Sequence, residues 1–394
     1  MSRTIVRIGQ AAVAIGIIVA LITMSTGIGA RKEIKQKLAD FNGHITVTPY
    51  SSNLSLSSDT LTLPVEYYPN FPLPEIEHIQ AIGTLSGIVR SEENFDGIVL
   101  KGVDANFDKA RFEKFVKVGE IPNFGTGELN DDVIVSRHLA NNFFLDIDST
   151  FVTVFVDPQQ LQNKPVYRNF RVKAIYETDI DNFDGLYIIG DLRHVQRING
   201  WSPNQIGGFE LFVKDIESDL QAVKADVNMI IGHNLIAQAA TDHFLEIEEW
   251  ISIFDKNIIL ILTIMMIVVI INMVMILLIL ILERTHSIGV LKTLGASNWQ
   301  VQKIFIYYTL FIMIPGMIIG NAIALLLLWV QQRWGVIQLP ADNYYITKAP
   351  VFLTWDMVLM VNLGMLVISA IILLIPTVLV RRILPTQALK MKNG

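Results

Sequence analysis

The chain has 394 residues, 52% of them hydrophobic and 17% charged, with a mean hydropathy of +0.44; a soluble globular chain carries more charge than that. Its net charge of -6 gives no footprint for a nucleic-acid partner. Cysteine is absent, which excludes disulfides and thiolate metal sites.

The apolar residues fall in four blocks, each long enough for the roughly 20 residues that a bilayer crossing takes. The first runs from Ile8 to Ile28 within residues 1–29. Arg3 and Arg7 would suit the basic start of a signal peptide, but the run is long for one and no A-x-A site follows. Beyond it Ile34, Leu38 and Phe41 stand at i, i+4 and i+7, and Gly43 is placed to cap the helix end. This block is therefore expected to be an uncleaved anchor that continues outward as a stalk.

Residues 30–256 have an ordinary soluble composition. Alternation predicts strands over 44–48, 97–101, 150–156, 170–176 and 208–213, and a helix over 136–144. Ser218 with Gln221 forms a capping box ahead of Leu220, Val223 and Val227. The Ser- and Pro-rich stretch from Pro49 to Pro74 is expected to be a loop. The mixture predicts an α+β domain of one or two subdomains. Near its end Phe244, Ile247, Ile251 and Phe254 repeat at helical spacing and make a second stalk.

The second block, 257–282, is polar only at Asn257, Thr263 and Asn272; a connector, 283–303, follows it. The third block is 304–330, an outer loop covers 331–356, the fourth block is 357–380 and a tail fills 381–394. Lys and Arg near the block ends favour both termini and the connector in the cytoplasm. The fold class expected is a membrane α-helical protein with four transmembrane helices. A large α+β extracytoplasmic domain lies between the first and second of them.

The connector carries the most specific signal. In Glu283-Arg284-Thr285-His286-Ser287-Ile288-Gly289-Val290-Leu291-Lys292-Thr293-Leu294-Gly295-Ala296-Ser297, Gly295 can stop a short amphipathic helix. Ser297 with Gln300 can start the next. From spacing alone, a helix lying on the lipid headgroups fits as well as one that docks on a partner.

The residues themselves resemble the signature of the MacB/FtsX/Lol permease family, E-R-x-x-x-I-[AG]-[VI]-L-[KR]-x-[LM]-G-A-S, and 382–390, with Pro385, Ala388 and Leu389, resembles its P-x-x-A-L ending. The outer loop 335–351 and the blocks 133–140 and 179–188 are similar to the lipoprotein-releasing (LolC/LolE) permeases. The resemblance implies that the connector is a coupling helix docking on a separate ATPase subunit, LolD-like, through Glu283, Arg284, Ile288, Leu291, Lys292, Gly295 and Ala296. It implies a second permease subunit, a lipoprotein substrate, a periplasmic lipoprotein carrier, membrane lipids and the bacterial inner membrane. It implies no catalytic residue and no cofactor in this chain, since ATP would sit in the partner; a G-x-x-x-x-G-K-[ST] loop is absent. In place of the family's R-Y-L-like segment, seven residues precede the first block; the carrier-recruiting Pro-rich hairpin corresponds to 157–169, which holds only Pro158 and Pro165.

An acyl chain in the outer leaflet would enter near the outer ends of the first two blocks, at Ile22, Met24, Ile28, Ile258, Ile259 and Leu262, residues that equally suit helix packing. Asn272 is expected to bond between helices, and Pro315-Gly316 with Gly320-Asn321 to permit close packing. The seven histidines show no metal-ligand spacing. A MacB-like efflux or secretion permease, an FtsX-like regulator of a cell-wall hydrolase, and a membrane-anchored enzyme stay open as alternatives. MacB-type proteins usually carry a fused ATPase, and no acid/base or nucleophile cluster supports an enzyme.

Overall fold

Lipid offers a backbone no hydrogen-bond partner, so a spanning segment must satisfy itself as a helix. Among the described residues four helices are long and apolar enough to cross a membrane, and the large α+β domain lies between the first and second. The computed structural model describes residues 3–50, 56–63, 65–90, 94–155, 165–215, 219–340 and 344–377. Ser218, Pro158 and the ending 382–390 lie outside the described residues.

In chain order the elements are α1 (Arg3–Asn42), β1 (Ile45–Pro49), β2 (Leu61–Thr62), β3 (Ile76–Arg90), β4 (Phe95–Val103), α2 (Lys109–Glu113), β5 (Val116–Gly119) and β6 (Asp132–Ser136). Then come α3 (Arg137–Asn142), β7 (Thr150–Phe155), β8 (Val166–Tyr176), α4 (Asp181–Asp184), β9 (Tyr187–Asp191), α5 (Leu192–Asn199), β10 (Gln205–Ile206) and β11 (Gly208–Val213). The last described elements are α6 (Leu220–Ile231), β12 (Leu235–Ala239), α7 (Ala240–His243), α8 (Leu245–Glu283), α9 (Thr285–Thr293), α10 (Asn298–Trp334) and α11 (Trp355–Thr377). Two compact units result: Met1–Lys32, Trp250–Gln338 and Lys348–Gly394 form one, Glu33–Glu249 with Leu339–Thr347 the other.

In the membrane unit, α1 packs between α8 and α10 because glycine lets the backbones approach. The positions that a Cβ would take on Gly9 and Gly16 are filled by Ile276 and Val269 of α8. A Cβ on Gly316 or Gly320, one turn apart on α10, would stand 2.6 Å from the Gln10 carbonyl oxygen or 2.8 Å from that of Ala14. Asn321 and Asn362 exchange amide hydrogen bonds of 2.8 and 3.0 Å between α10 and α11. Asn272 departs from expectation. Its Nδ2 donates to the Val268 carbonyl of its own helix at 2.8 Å, which satisfies one amide proton without a neighbour.

In the outer unit, neighbouring pairs β3–β4, β4–β9, β9–β6, β6–β8, β8–β7 and β7–β3 close a ring of strands. A second, antiparallel layer β12-β1-β11 extends from the same β3. The inward alternate residues, among them Leu100, Val133, Phe155, Phe170 and Ile188, join Ile45, Phe209 and Val227 in one apolar core. All five strands expected from alternation are present, within a few residues of their ends. Helix α3 is there too, and α1 runs on to Asn42 with Gly43 at φ +73°. Asp219, not Ser218, caps α6: its carboxylate accepts from Gln221 N and Ala222 N. Within 49–74, the described residues 56–63 are tied down by β2, by Ser57 on Ser86 and by Ser58 on Thr84.

Outward from the core, the sheet buries an ion pair. Lys101 Nζ meets Glu210 Oε1 at 2.6 Å, the two side chains 2% and 1% exposed. The same ammonium donates to the Phe41 carbonyl at the C-terminus of α1 and to Asn42 Oδ1, and Gln80 holds the other Glu210 oxygen at 2.7 Å.

Beside this pair, at the start of β1, His44 is buried, and its Nδ1 accepts from Val213 N–H at 3.3 Å. Burial, with the Arg111 charge adding to it, pushes its pKa down to about 4. Between that value and the ordinary 6.5 the unfolded chain takes up a proton that the native one refuses, so stability falls as the pH drops through this window, by roughly 3 kcal/mol. Thermal unfolding of the full chain in detergent should be steeper in pH between 6.5 and 4.5 for the native protein than for His44→Asn. That variant keeps an acceptor near the Nδ1 position and cannot titrate there. Parallel profiles would remove His44 from the acid response.

Candidate coupling site

The connector between α8 and α10 is built by three local rules. First, α8 ends at Glu283, and Thr285 Oγ1 turns back on the Ile281 and Leu282 carbonyls at 3.1 and 2.9 Å. Second, α9 ends in a Schellman arrangement. Ala296 N–H donates to Leu291 O at 3.0 Å and Gly295 N–H to Lys292 O at 3.1 Å, with Gly295 at φ +96°. Third, α10 starts in the expected capping box: Gln300 N–H donates to Ser297 Oγ at 3.3 Å, and Ser297 N–H to Gln300 Oε1 at 2.8 Å.

These caps fix which side chains face out. Ile288 is 1% exposed, seated in the apolar cluster with Leu280, Ile281, Val301 and Phe305, so it anchors α9 and presents no docking surface. Ala296 also packs on that cluster. Leu291 is exposed, as are Glu283, Arg284 and Gly295, and Lys292 is half-buried. The most exposed apolar side chain of the loop is Leu294 at 80%; Val290 and Trp299 are exposed as well, and Lys303 places its ammonium over the Trp299 ring. Leu294 stands in the signature motif, but its place past the last helical turn hides it from helix periodicity. Such a tip is an apolar knob on a stiff, doubly capped turn.

The outer-end residues separate. Ile258 fills the space left by Gly27 of α1, so it pairs the helices. Ile259 points outward at 66% exposure, while Ile22, Met24, Ile28 and Leu262 are half-buried. Nearby, Arg31 of α1 and Asp255 of α8 form an ion pair of 3.1 Å. Among the described residues no His/Asp/Glu group has a metal-binding arrangement.

The chain matches the protein-family profile described as MacB-like periplasmic core domain over residues 11–230, and that described as FtsX-like permease C-terminal over residues 259–385. It is 22% identical over 401 residues to the lipoprotein-releasing system transmembrane protein LolC of Xylella fastidiosa, covering 96% of this chain and 92% of the relative. It is 23% identical over 409 residues to the LolE protein of Haemophilus influenzae, with the same coverage. Two solved structures are also similar. One is the periplasmic region of MacB from Actinobacillus actinomycetemcomitans, at 14% identity, 52% of this chain, 92% of that one and a TM-score of 0.35. The other is the extracellular domain of the noncanonic ABC-type transporter YknZ from Gram-positive bacteria, at 11% identity, 46% and 99% coverage and a TM-score of 0.29.

Proposed function

Because the chain belongs to the family of ABC-transporter permeases that join a MacB-like periplasmic core domain to an FtsX-like permease C-terminal domain, we propose that it releases lipoproteins from the outer leaflet of a bacterial inner membrane. The observation that carries this reading is its likeness to LolC and LolE proteins along 96% of its length. Permeases of this family are non-catalytic and work with an ATPase and a second permease. Here the ATPase is a LolD-like subunit that binds the ATP, and this chain needs no cofactor of its own.

The connector's knob, Leu294 with Leu291 and Val290, seats in an apolar socket of that subunit. Glu283, Arg284 and Lys292 flank it with charge, and Ile288, Gly295 and Ala296 hold it in shape. Closure of the ATPases on ATP displaces the connectors, and α1 and α8 carry the motion to the periplasmic domain. The substrate's acyl chains enter between permeases at Met24, Ile22, Ile28, Leu262 and Ile259, where each buried CH₂ contributes about 0.8 kcal/mol. The expelled lipoprotein passes to a periplasmic carrier.

A photo-crosslinking residue at Met24 or Ile259 should trap a lipoprotein before ATP is added. Ile259→Glu should weaken capture about tenfold or more, the equivalent of two lost CH₂ contacts, with ATPase binding unchanged. Adducts only with the other permease, or with a peptide or drug, would overturn lipoprotein release in favour of efflux.

A further inference from the structure

Three chain segments connect the outer domain to the membrane helices: the end of α1, the start of α8, and the residues between α10 and α11. One short loop of the domain, Thr178 to Asp184, meets all three. The loop itself is rigid. The buried Asp184 carboxylate accepts from Thr178 N at 3.0 Å, Thr178 Oγ1 at 2.8 Å and Asp179 N at 3.0 Å. Tyr176 Oη donates to the Phe183 carbonyl at 3.1 Å.

Toward α1, Lys37 Nζ binds Asp179 Oδ2 at 2.6 Å and the Thr178 carbonyl at 2.9 Å. Phe41 stacks on Phe183 with ring centres 4.2 Å apart and planes 12° from parallel. Toward α8, Phe244 sets its ring against the same Phe183 at 5.1 Å and 86°, edge to face. Toward the third segment, Lys37 Nζ also donates to the Tyr345 carbonyl at 3.2 Å, and the adjacent Ile346 is buried. The Tyr345 hydroxyl is held above its usual range by burial and by the Asp181 and Glu246 carboxylates.

We infer that the Thr178–Asp184 loop is a yoke, and that Phe183, gripped on one face by Phe41 and met by Phe244, is a positioning residue that, beside the β1–β12 ladder, keeps the two stalk roots in step. Geometry sets the limits of the joint. Stacked and edge-to-face ring pairs are each favourable beyond the area they bury, so each ring contact resists separation of its stalk root from the loop. Removing the Phe244 ring leaves the Phe41 stack and the Lys37 bridge intact, and it leaves the β1–β12 ladder in place, so it loosens only the contact of the yoke with the root of α8. The inference deepens the transmission step of the proposed function and depends on that reading only for its transport arm.

The chain has no cysteine, so Lys35→Cys and Glu248→Cys place one spin label on each stalk root without a background. In the full chain, reconstituted with its ATPase, the inter-label distance should form a single narrow distribution with and without a non-hydrolysable ATP analogue. Phe244→Ala should split or broaden it by several ångström in the ATP-analogue state, and Phe183→Leu, which keeps an apolar side chain in the core, should do the same. Phe244→Tyr should restore the narrow distribution. The same Phe244→Ala protein should hydrolyse ATP at the native rate and release lipoprotein several-fold more slowly. A distribution as narrow in both variants as in the native chain would overturn the yoke. The distance measurement involves no cargo, so a cargo other than lipoprotein would defeat the proposed function and leave this result standing.

Discussion

Leu294→Asp is expected to abolish capture of the ATPase subunit while the permease still inserts and unfolds at its native temperature. The residue is 80% exposed, so in the free chain the new carboxylate stays hydrated and costs the fold almost nothing. In the proposed complex the same carboxylate would be forced into an apolar socket. Taking an unpaired charge out of water costs several kcal/mol after relaxation, and every 1.4 kcal/mol is tenfold in affinity, so binding should weaken by more than about a hundredfold. Gly295→Val acts differently. No atom lies within 4 Å of the place its Cβ would take, so the penalty is conformational: a β-branched residue resists φ +96°. It should unwind the end of α9 and misplace Leu294, with transport lost and insertion retained. Ile288→Asp is the contrast, since it strikes the buried anchor and should lower the yield of folded protein. Affinity chromatography of the detergent-solubilised pair reads all three. Native-level capture by Leu294→Asp would mean that the connector merely lies on the headgroups.

The second large effect is in the outer domain. Lys101→Met should lower stability by about 3–5 kcal/mol, because it leaves Glu210 charged and buried with Gln80 as its remaining hydrogen-bond partner. Lys101→Met combined with Glu210→Leu should recover most of that loss, since an apolar pair of similar volume often equals a buried ion pair. A residue of roughly 0.5–1 kcal/mol should persist in the double variant. Lys101 also puts a positive charge on the Phe41 carbonyl at the negative end of α1, and methionine cannot. Thermal and denaturant unfolding of the four proteins in one detergent forms the cycle. If the double variant is as unstable as the single one, the helix cap and not the ion pair is the dominant interaction.

Much of this architecture can be read from residues alone, for definite physical reasons. The four spans are legible because lipid demands long apolar runs, and the caps at Gly43, Gly295 and Ser297 because each meets a local stereochemical need. Strand β3 is not legible. It is the longest strand among the described residues, yet Gly83, Ser86 and Gly87 interrupt its pattern, since Leu192 and Phe155 occupy the space beside the glycines and Ser57 bonds the serine. The cap of α6 shows a smaller shift, with Asp219 one residue beyond the capping-box serine. In the connector, spacing marks an amphipathic helix but not which stripe faces the bundle, because the apolar residues on both sides of it, Ile288 and Leu294, are alike in type. Only the structure shows that Ile288 is buried in the bundle and Leu294 exposed. Phe183 lies in the block 179–188 that resembles the LolC/LolE permeases, but nothing in that block marks its contacts: its partners Phe41 and Phe244 are brought to it only by the tertiary fold.

The paired amides of Asn321 and Asn362 bear on how α10 and α11 can move. Each side chain gives and receives one bond across the interface, and each also donates to a carbonyl of its own helix. A hydrocarbon surrounding supplies no substitute partner. Sliding one helix along the other by even a single residue, about 1.5 Å, would break both cross-bonds at once. The two helices are therefore pinned like the halves of a riveted hairpin, free to tilt together and barred from shearing. A displacement applied at the foot of α10 would therefore be shared with α11 as a push and not as a slip.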